Sequence, residues 1–385
     1  MKLTKEISEF IENQKNENIQ SLALKLGKRP DLPRQFILQQ IQGIQLASKK
    51  LPSWNKPNLL FPLKVSMEQC SSEKTSVYKS TIHQYDNFID LTGGFGVDTK
   101  HLADHSKKGI YVESFPALFE IAKHNLEIFH PSKLDYYNDS AESFLSKKSE
   151  QFDLIYIDPD RRTEKSAKGV FLDDCTPNVL ELKDKLLELG KIILIKTSPL
   201  IDIKNTLYQL ENVSRVDIVS VQNECKEVLF TLEKNFSGEA KIVTVNFTKS
   251  QDELFSFCFS EEEGSICSYA PPRKYIFEAN TSILKAGGFK IIGSRFNLEK
   301  IAPSSHFYTS EEFKSEFPGK VFELISTTTK TSQLPKKANI ISRNHPLTPE
   351  KIKTKGKIKD GGSLFILATS DYSGKPFYIV ANRIQ

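Results

Sequence analysis

Asn87-Phe-Ile-Asp-Leu-Thr-Gly-Gly-Phe-Gly-Val-Asp-Thr99 is a short apolar run that ends in an acidic residue, passes through a glycine-rich turn and opens a helical pattern. A loop without Cβ atoms turns sharply and lets its backbone approach a ligand, while the helix that follows offers free N–H groups to an anion. The stretch therefore reads as a nucleotide-cofactor loop on a strand-turn-helix unit. The nicotinamide fingerprint Gly-x-Gly-x-x-Gly does not fit. After Gly94-Phe-Gly96 the third glycine position is Thr99, and the frame starting at Gly93 fails sooner.

A second acidic residue, Glu113, closes the next apolar run, Gly109-Ile-Tyr-Val-Glu113. Acid, glycine loop and second acid in this order resemble the class I methyltransferases, which use S-adenosylmethionine. The resemblance implies that Asp90 sits near the methionyl end of the cofactor, that Thr92, Gly94 and Gly96 pass beneath it, and that Glu113, with Ser114 beside it, receives the ribose hydroxyls. It also implies that Asp139 and Ser140, at the end of a third run (Leu134–Asn138), face the adenine. An independent reading of Asp139 is a helix N-cap.

The strand-then-helix rhythm continues. Leu118, Ile121, Ala122, Leu126 and Phe129 recur at helical spacing, and Phe152-Asp-Leu-Ile-Tyr-Ile-Asp158-Pro-Asp-Arg-Arg162 brings an Asp-Pro pair to the end of a fourth strand. Open α/β sheets place their chemistry at such strand ends. The pair is similar to the Asp-Pro-Pro-aromatic box of methyltransferases that act on exocyclic amines, which makes Asp158, Pro159 and Asp160 the catalytic candidates. Where that box has proline and an aromatic, this chain has Asp160 and Arg161. The ring on which a flipped base would stack is missing, whereas Arg161 and Arg162 suit a phosphate or carboxylate; they could equally pair with Asp173 or Asp174. Further runs at 191–200, 214–222 and 226–232 complete a seven-stranded, doubly wound (Rossmann-like) α/β core, the last two forming its antiparallel edge. Lys196 and Asn223 are additional substrate-side candidates.

The five cysteines are scattered without a Cys-x-x-Cys pair, which argues against a zinc site and fits free thiols in a reducing compartment. His101 and His105 share a helix face, but Leu102-Ala-Asp104 between them supplies no glutamate base, and they read as a partly exposed face rather than metal ligands. No metal is expected. Apolar stretches fall short of a membrane span and the first residues, Met1-Lys-Leu-Thr-Lys-Glu-Ile, lack a signal core. The expectation is a soluble, cytoplasmic protein.

Around the core, residues 1–62 read as a helical N-terminal domain ending in a linker-like passage, Leu51–Pro62, whose prolines exclude helix. The core occupies 63–235. Within its first segment, Gln69, Ser71, Ser72, Thr75 and Lys79 either line the site or serve as a helix cap with solvated lysines. Beyond 236 the pattern changes to short strands and turns, with Glu261–Ser265 read as a turn and Asp371-Tyr-Ser-Gly374 as a hairpin signal between two strands. With the loop at 90–96 and the Asp158 motif, this part is similar to a bacterial methyltransferase family carrying a ferredoxin-like domain (236–318) and a THUMP-like domain (319–385), an α+β C-terminal region.

Net charge is only +5 over 385 residues. It is uneven, however: Lys330, Lys336, Lys337, Arg343, Lys351, Lys353, Lys355, Lys357 and Lys359 face only Glu350 and Asp360 between 330 and 360. Such density attracts phosphate backbones by counterion release, and it also describes a solvated face kept for solubility. The sequence thus points to an S-adenosylmethionine-dependent methyltransferase acting on an RNA base. A small-molecule methyltransferase and a non-catalytic RNA-binding module are the alternatives.

Overall fold

The computed structural model describes residues 3–161 and 172–385, with Arg161 described only through its backbone. The chain divides into two compact units, Met1–Val213 with Phe230–Ser237, and Ser214–Leu229 with Gly238–Gln385.

Unit one is built on β1 (Asn87–Asp90), β2 (Lys108–Val112), β3 (Leu134–Tyr137), β4 (Phe152–Ile157), a two-residue ribbon β5 (Asp160–Arg161) and β6 (Cys175–Thr176), and β7 (Gly190–Thr197). The parallel strands lie in the order β3-β2-β1-β4-β7. Chain order reverses between β1 and β4, and at such a switch point the connections leave in opposite directions and open a crevice at the carboxyl ends of the strands. Phe88, Ile89, Leu154, Ile155, Ile157, Ile193, Leu194 and Ile195 are all buried, as strands covered on both faces require.

Helices Lys5–Gln14, Ile19–Leu26 and Arg34–Lys50 precede the sheet. They close on Ile7, Ile11, Leu22, Leu26, Leu32, Ile37 and Ile41. The proline-rich passage after them is not a free linker. Its prolines do exclude α-helix, leaving a single 3-10 turn at Pro52–Trp54, but Trp54 and Phe61 are buried in one cluster with Met67 and with Phe95 of the glycine loop. The Trp54 and Phe95 rings lie 4.5 Å apart. Asn125 accepts from Leu60 N–H at 2.8 Å and donates to its carbonyl at 2.7 Å, so the irregular backbone is satisfied by a side chain in place of a strand partner.

Unit two holds most of β8 (Val213–Val221), the opening residues of β9 (Glu224–Glu233), β10 (Lys241–Phe247) and β11 (Asp252–Phe257). β8 is not an edge strand, as the sequence suggested: β10 pairs with it in parallel, and β11 runs antiparallel to β10. The stretch read as a turn at 261–265 lies largely within a short helix, Phe259–Gly264, because Glu261 accepts the Cys258 N–H at 2.7 Å and closes a capping box. The rest of the unit is a second sheet of β12 (Tyr275–Ala279), β13 (Glu299–Lys300), β14 (Phe307–Ser310), β15 (Gly319–Thr328), β16 (Asn339–Ser342), β17 (Leu364–Ser370) and β18 (Pro376–Arg383). Its order is β13-β14-β12-β15-β18-β17-β16. The hairpin expected around Asp371–Gly374 joins β17 and β18 antiparallel.

Candidate active site

The glycine turn works through two constraints. Gly93 lies so close to the β2 ring that a Cβ there would stand 2.0 Å from Tyr111 Cε2, and Gly96 caps helix Val97–Asp104 at φ +84°, a conformation only glycine adopts freely. Tyr111 OH then donates to the Gly94 carbonyl at 2.6 Å, holding the turn from below.

This places a cavity of about 410 Å³ at the carboxyl ends of β1, β2 and β4. Thr92, Gly94, Glu113, Ser114, Asp139, Ser140, Asp158 and Asp160 all line it. Ser66, Gln69 and Cys70 contribute from the segment before β1, and Phe115 and Leu118 add apolar wall. Glu113 Oε2 accepts the Gly94 N–H at 2.8 Å and Oε1 the Phe115 N–H at 2.7 Å, which fixes the carboxylate across the glycine turn. Asp139 pairs with Lys147 at 2.8 Å, and that hydrogen bond holds its carboxyl below the usual range. It is not the helix cap; Ser140 is, accepting from Ser143 N–H at 3.1 Å.

At β4 the Asp158 N–H donates to Thr92 Oγ1 at 2.7 Å, tying the Asp-Pro motif to the glycine loop. Lys196, on β7, forms an ion pair with Asp158 Oδ2. Burial, and then the Asp158 charge, raise the Asp160 carboxyl above its ordinary value. Pro159 does not line the cavity; it stands between two carboxylates that do. Arg162 lies outside the described residues, as does the Arg161 side chain. Asn223 is not among the lining residues. It belongs to unit two, where its side chain accepts the Thr281 N–H at 2.8 Å and caps a turn onto helix Thr281–Ala286.

Two expected cofactor residues stand behind the wall rather than on it. Gly96 packs against Leu126. Asp90 is fully buried, accepting Thr92 N–H at 3.1 Å and Thr99 Oγ1 at 2.6 Å, and burial pushes its carboxyl up to about 8. These two bonds tie it to the loop and to the helix that follow β1.

Sequence reasoning missed Asp98. Helix Val97–Asp104 carries it inward, where it accepts from Ser71 Oγ at 2.7 Å and Tyr156 OH at 2.8 Å and lies 3.2 Å from Lys79 Nζ. Lys79 is buried rather than solvated, and it also donates to Ser71 Oγ at 3.0 Å. Burial opposes this anion, but Lys79 and then Lys196 overcome it, and Asp98 sits at about 2. Ser72 is the helix cap of Glu73–Thr81, and Thr75 lies in its first turn with its N–H bonded to the Ser72 hydroxyl. No spacing in the sequence signalled this cluster: Ser71 precedes the Ser72 cap and shares no helix face with Lys79, and only packing brings both to Asp98. His101, expected on a partly exposed face, is buried against Ser76 Oγ at 2.9 Å. No metal-holding cluster occurs among the described residues.

The whole chain superposes on the crystal structure of a "putative methyltransferase" from Porphyromonas gingivalis W83, with a TM-score of 0.89, 29% identity and full coverage of both chains. Residues 275–318 match a ferredoxin-like domain family and residues 325–383 a THUMP domain-like family. This chain joins a methyltransferase fold to ferredoxin-like and THUMP-like domains. The 275–318 match begins inside the range 236–318 expected from sequence and ends with it. More distant likenesses include a "putative methyltransferase" from Streptococcus mutans in complex with SAH (14% identity, 42% of this chain and 97% of that one, TM-score 0.31) and an rRNA methylase from Streptococcus thermophilus (17%, 42% and 94%, 0.31). No curated protein matches the sequence. The methyltransferase fold explains why the lining residues come from strand ends: the sheet is a rigid frame, and its loops carry the site.

Proposed function

We propose that unit one is an S-adenosylmethionine-dependent methyltransferase and that its substrate is RNA. The observation that carries the reading is the cavity that brings the Glu113 carboxylate, the Gly94 turn, Asp139 and Ser140 together with Asp158 and Asp160. Its volume of about 410 Å³ falls in the range of small-molecule sites. The donor set suits the cofactor: carboxylates for hydroxyls and an amino group, glycine backbone beneath, and an apolar wall from Phe115 and Leu118.

When bound, S-adenosylmethionine supplies a methyl group activated by its sulfonium. Little acid-base work remains for the protein, so the rate depends on alignment and on a carboxylate near the nucleophile. Asp158 is that carboxylate. The Lys196 ammonium beside it holds it in place until a substrate donor competes for the same oxygen. Asp160, pushed up by burial, keeps a proton more readily than an ordinary aspartate and can receive a hydrogen bond or give one at its carboxyl.

RNA is favoured by the THUMP domain-like match and by the lysines of the C-terminal region. Lys330, Lys336, Lys337, Lys351, Lys355, Lys357 and Lys359 are exposed. Lys353 pairs with Asp360 at 2.6 Å. Methyl transfer from labelled S-adenosylmethionine to total RNA, and separately to a small-metabolite extract, from cells lacking the gene tests both parts. Label in RNA is expected, and label confined to metabolites overturns the substrate assignment. Glu113→Ala should weaken cofactor binding in calorimetry by at least about tenfold, and Glu113→Gln, which keeps the shape, should also weaken it. Asp158→Asn should bind cofactor and lose turnover. Unchanged binding in both Glu113 variants removes the cofactor assignment.

A further inference from the structure

Unit two contains a second cavity, of about 1030 Å³, far from regular in its lining. One wall is Tyr269-Ala-Pro-Pro272; another is Thr327–Thr329 at the end of β15; the third is the β17–β18 hairpin with Asp371 and Tyr372. Tyr269 is 42% exposed and Tyr372 69% exposed, yet their rings meet edge to face with centroids 5.2 Å apart. Two tyrosines left this open on one cleft present flat apolar surface that the fold itself does not cover. Ile301 and Phe377 make the floor apolar.

The rim is hydrogen-bonding and largely open to solvent. Among the described residues, the hydroxyls of Thr327 and Thr329 have no protein partner and are exposed. Gln333 accepts from Thr328 Oγ1, which leaves its amide N–H groups to donate. Asp371 accepts from Ser373 Oγ at 2.7 Å and Lys375 N–H at 2.9 Å, so its carboxylate is fixed at the tip of the hairpin. Lys330 and Lys375, on two of the lining segments, are exposed. A flat π partner with a hydrogen-bonding edge and a nearby negative charge satisfies all three features: rings, unpaired polar groups and flanking lysines. A purely apolar ligand would leave the rim unsatisfied, and a duplex hides its base faces in the stack.

We propose that this cleft takes an unstacked base of single-stranded RNA on the Tyr269–Tyr372 ring pair, with Thr327, Thr329, Gln333 and Asp371 meeting its edge. The proposal rests on the reading of RNA as substrate and adds a docking site remote in sequence from the methyl-transfer residues. Stacking on aromatics is sequence-tolerant and does not depend on salt, whereas lysine contacts to phosphate do.

Fluorescence anisotropy of a short fluorescein-labelled oligocytidylate with the full chain tests it. Tyr372→Ala and Tyr269→Ala are expected to weaken binding about tenfold to a hundredfold while leaving the slope of affinity against salt unchanged. Tyr372→Phe, which keeps the ring, should bind as the wild type does. Calorimetry with S-adenosylmethionine should be unchanged in all three, which separates loss of the cleft from loss of the cofactor site, and an unchanged circular dichroism spectrum separates it from loss of folding in unit two. If the alanine variants bind the oligonucleotide as tightly as wild type, the cleft proposal fails while RNA as substrate stands. If wild type binds no oligonucleotide and labels only metabolites, both fail together.

Discussion

Asp90 is a fully buried carboxyl group at the end of β1, where the glycine loop begins, and replacing it by asparagine should stabilise unit one in a pH-dependent way. In the fold its carboxyl is pushed up to about 8, chiefly by burial and despite the hydrogen bond from Thr99. In the unfolded chain it returns to 3.8. Between those values the folded protein keeps the proton and the unfolded chain has released it. A group whose folded value is raised contributes fully below the unfolded value and loses that contribution as pH rises toward the folded one. Each pH step between 5 and 7 should therefore cost the wild type about 1.4 kcal/mol relative to a variant that cannot ionise there, or about 2.7 kcal/mol over the interval. Asp90→Asn is such a variant. Its amide oxygen can accept from Thr92 N–H, and its NH2 can donate to a Thr99 hydroxyl that turns to accept. The protein has a single tryptophan, Trp54, buried in unit one, so its fluorescence follows this unit alone in urea unfolding. The expected result is a difference in stability between variant and wild type that grows from pH 5 to pH 7. Parallel stability profiles would falsify the account, because they require Asp90 to be ionised in its buried setting. Cofactor binding should survive the substitution, since Asp90 does not line the cavity.

Lys79→Met should be severe, because it leaves Asp98 buried with its charge uncompensated by its nearest cation. Removing one partner of a buried pair costs about 3–5 kcal/mol, and the loss should appear as a lowered unfolding midpoint by Trp54 fluorescence; a change below about 1 kcal/mol would show that Lys196 alone holds the anion. Asp98 itself sits at about 2 against 3.8 when unfolded. Its stabilisation is complete above 3.8 and fades as pH falls toward 2, so Asp98→Asn should flatten that acid limb and leave the profile near neutrality unchanged in shape. Gly93→Ala has no room: its Cβ would overlap the Tyr111 ring, which is anchored by a hydrogen bond to the Gly94 carbonyl. We expect weaker S-adenosylmethionine binding in calorimetry together with a lower unfolding midpoint, and binding equal to wild type would mean that the loop adjusts without disturbing Glu113.

The sequence by itself determined what is local and periodic. An apolar run, an acid and three glycines in four residues specify a strand and a turn whatever surrounds them, so the β1 loop, Glu113 at the end of β2 and the Asp158 motif at the end of β4 were legible, and with them the doubly wound sheet. The prolines at 51–62 were read correctly as helix-breaking, but the passage was not read as covered: that depended on Phe95, which packs on Trp54 and Phe61, and on Asn125, which bonds the Leu60 backbone, and both reach it only after folding. Tertiary structure alone decided which strand-end carboxylates line the cavity. Asp90 and Glu113 look alike in sequence, yet the helix after the glycine turn carries Thr99 back onto Asp90 and seals it, while Glu113 stays partly exposed across the turn. The pairing of Lys79 with Asp98 and of Lys196 with Asp158 was likewise hidden, because side chains 19 and 38 residues apart meet only when packing brings their elements together, and burial then gives those meetings energies that no sequence spacing expresses.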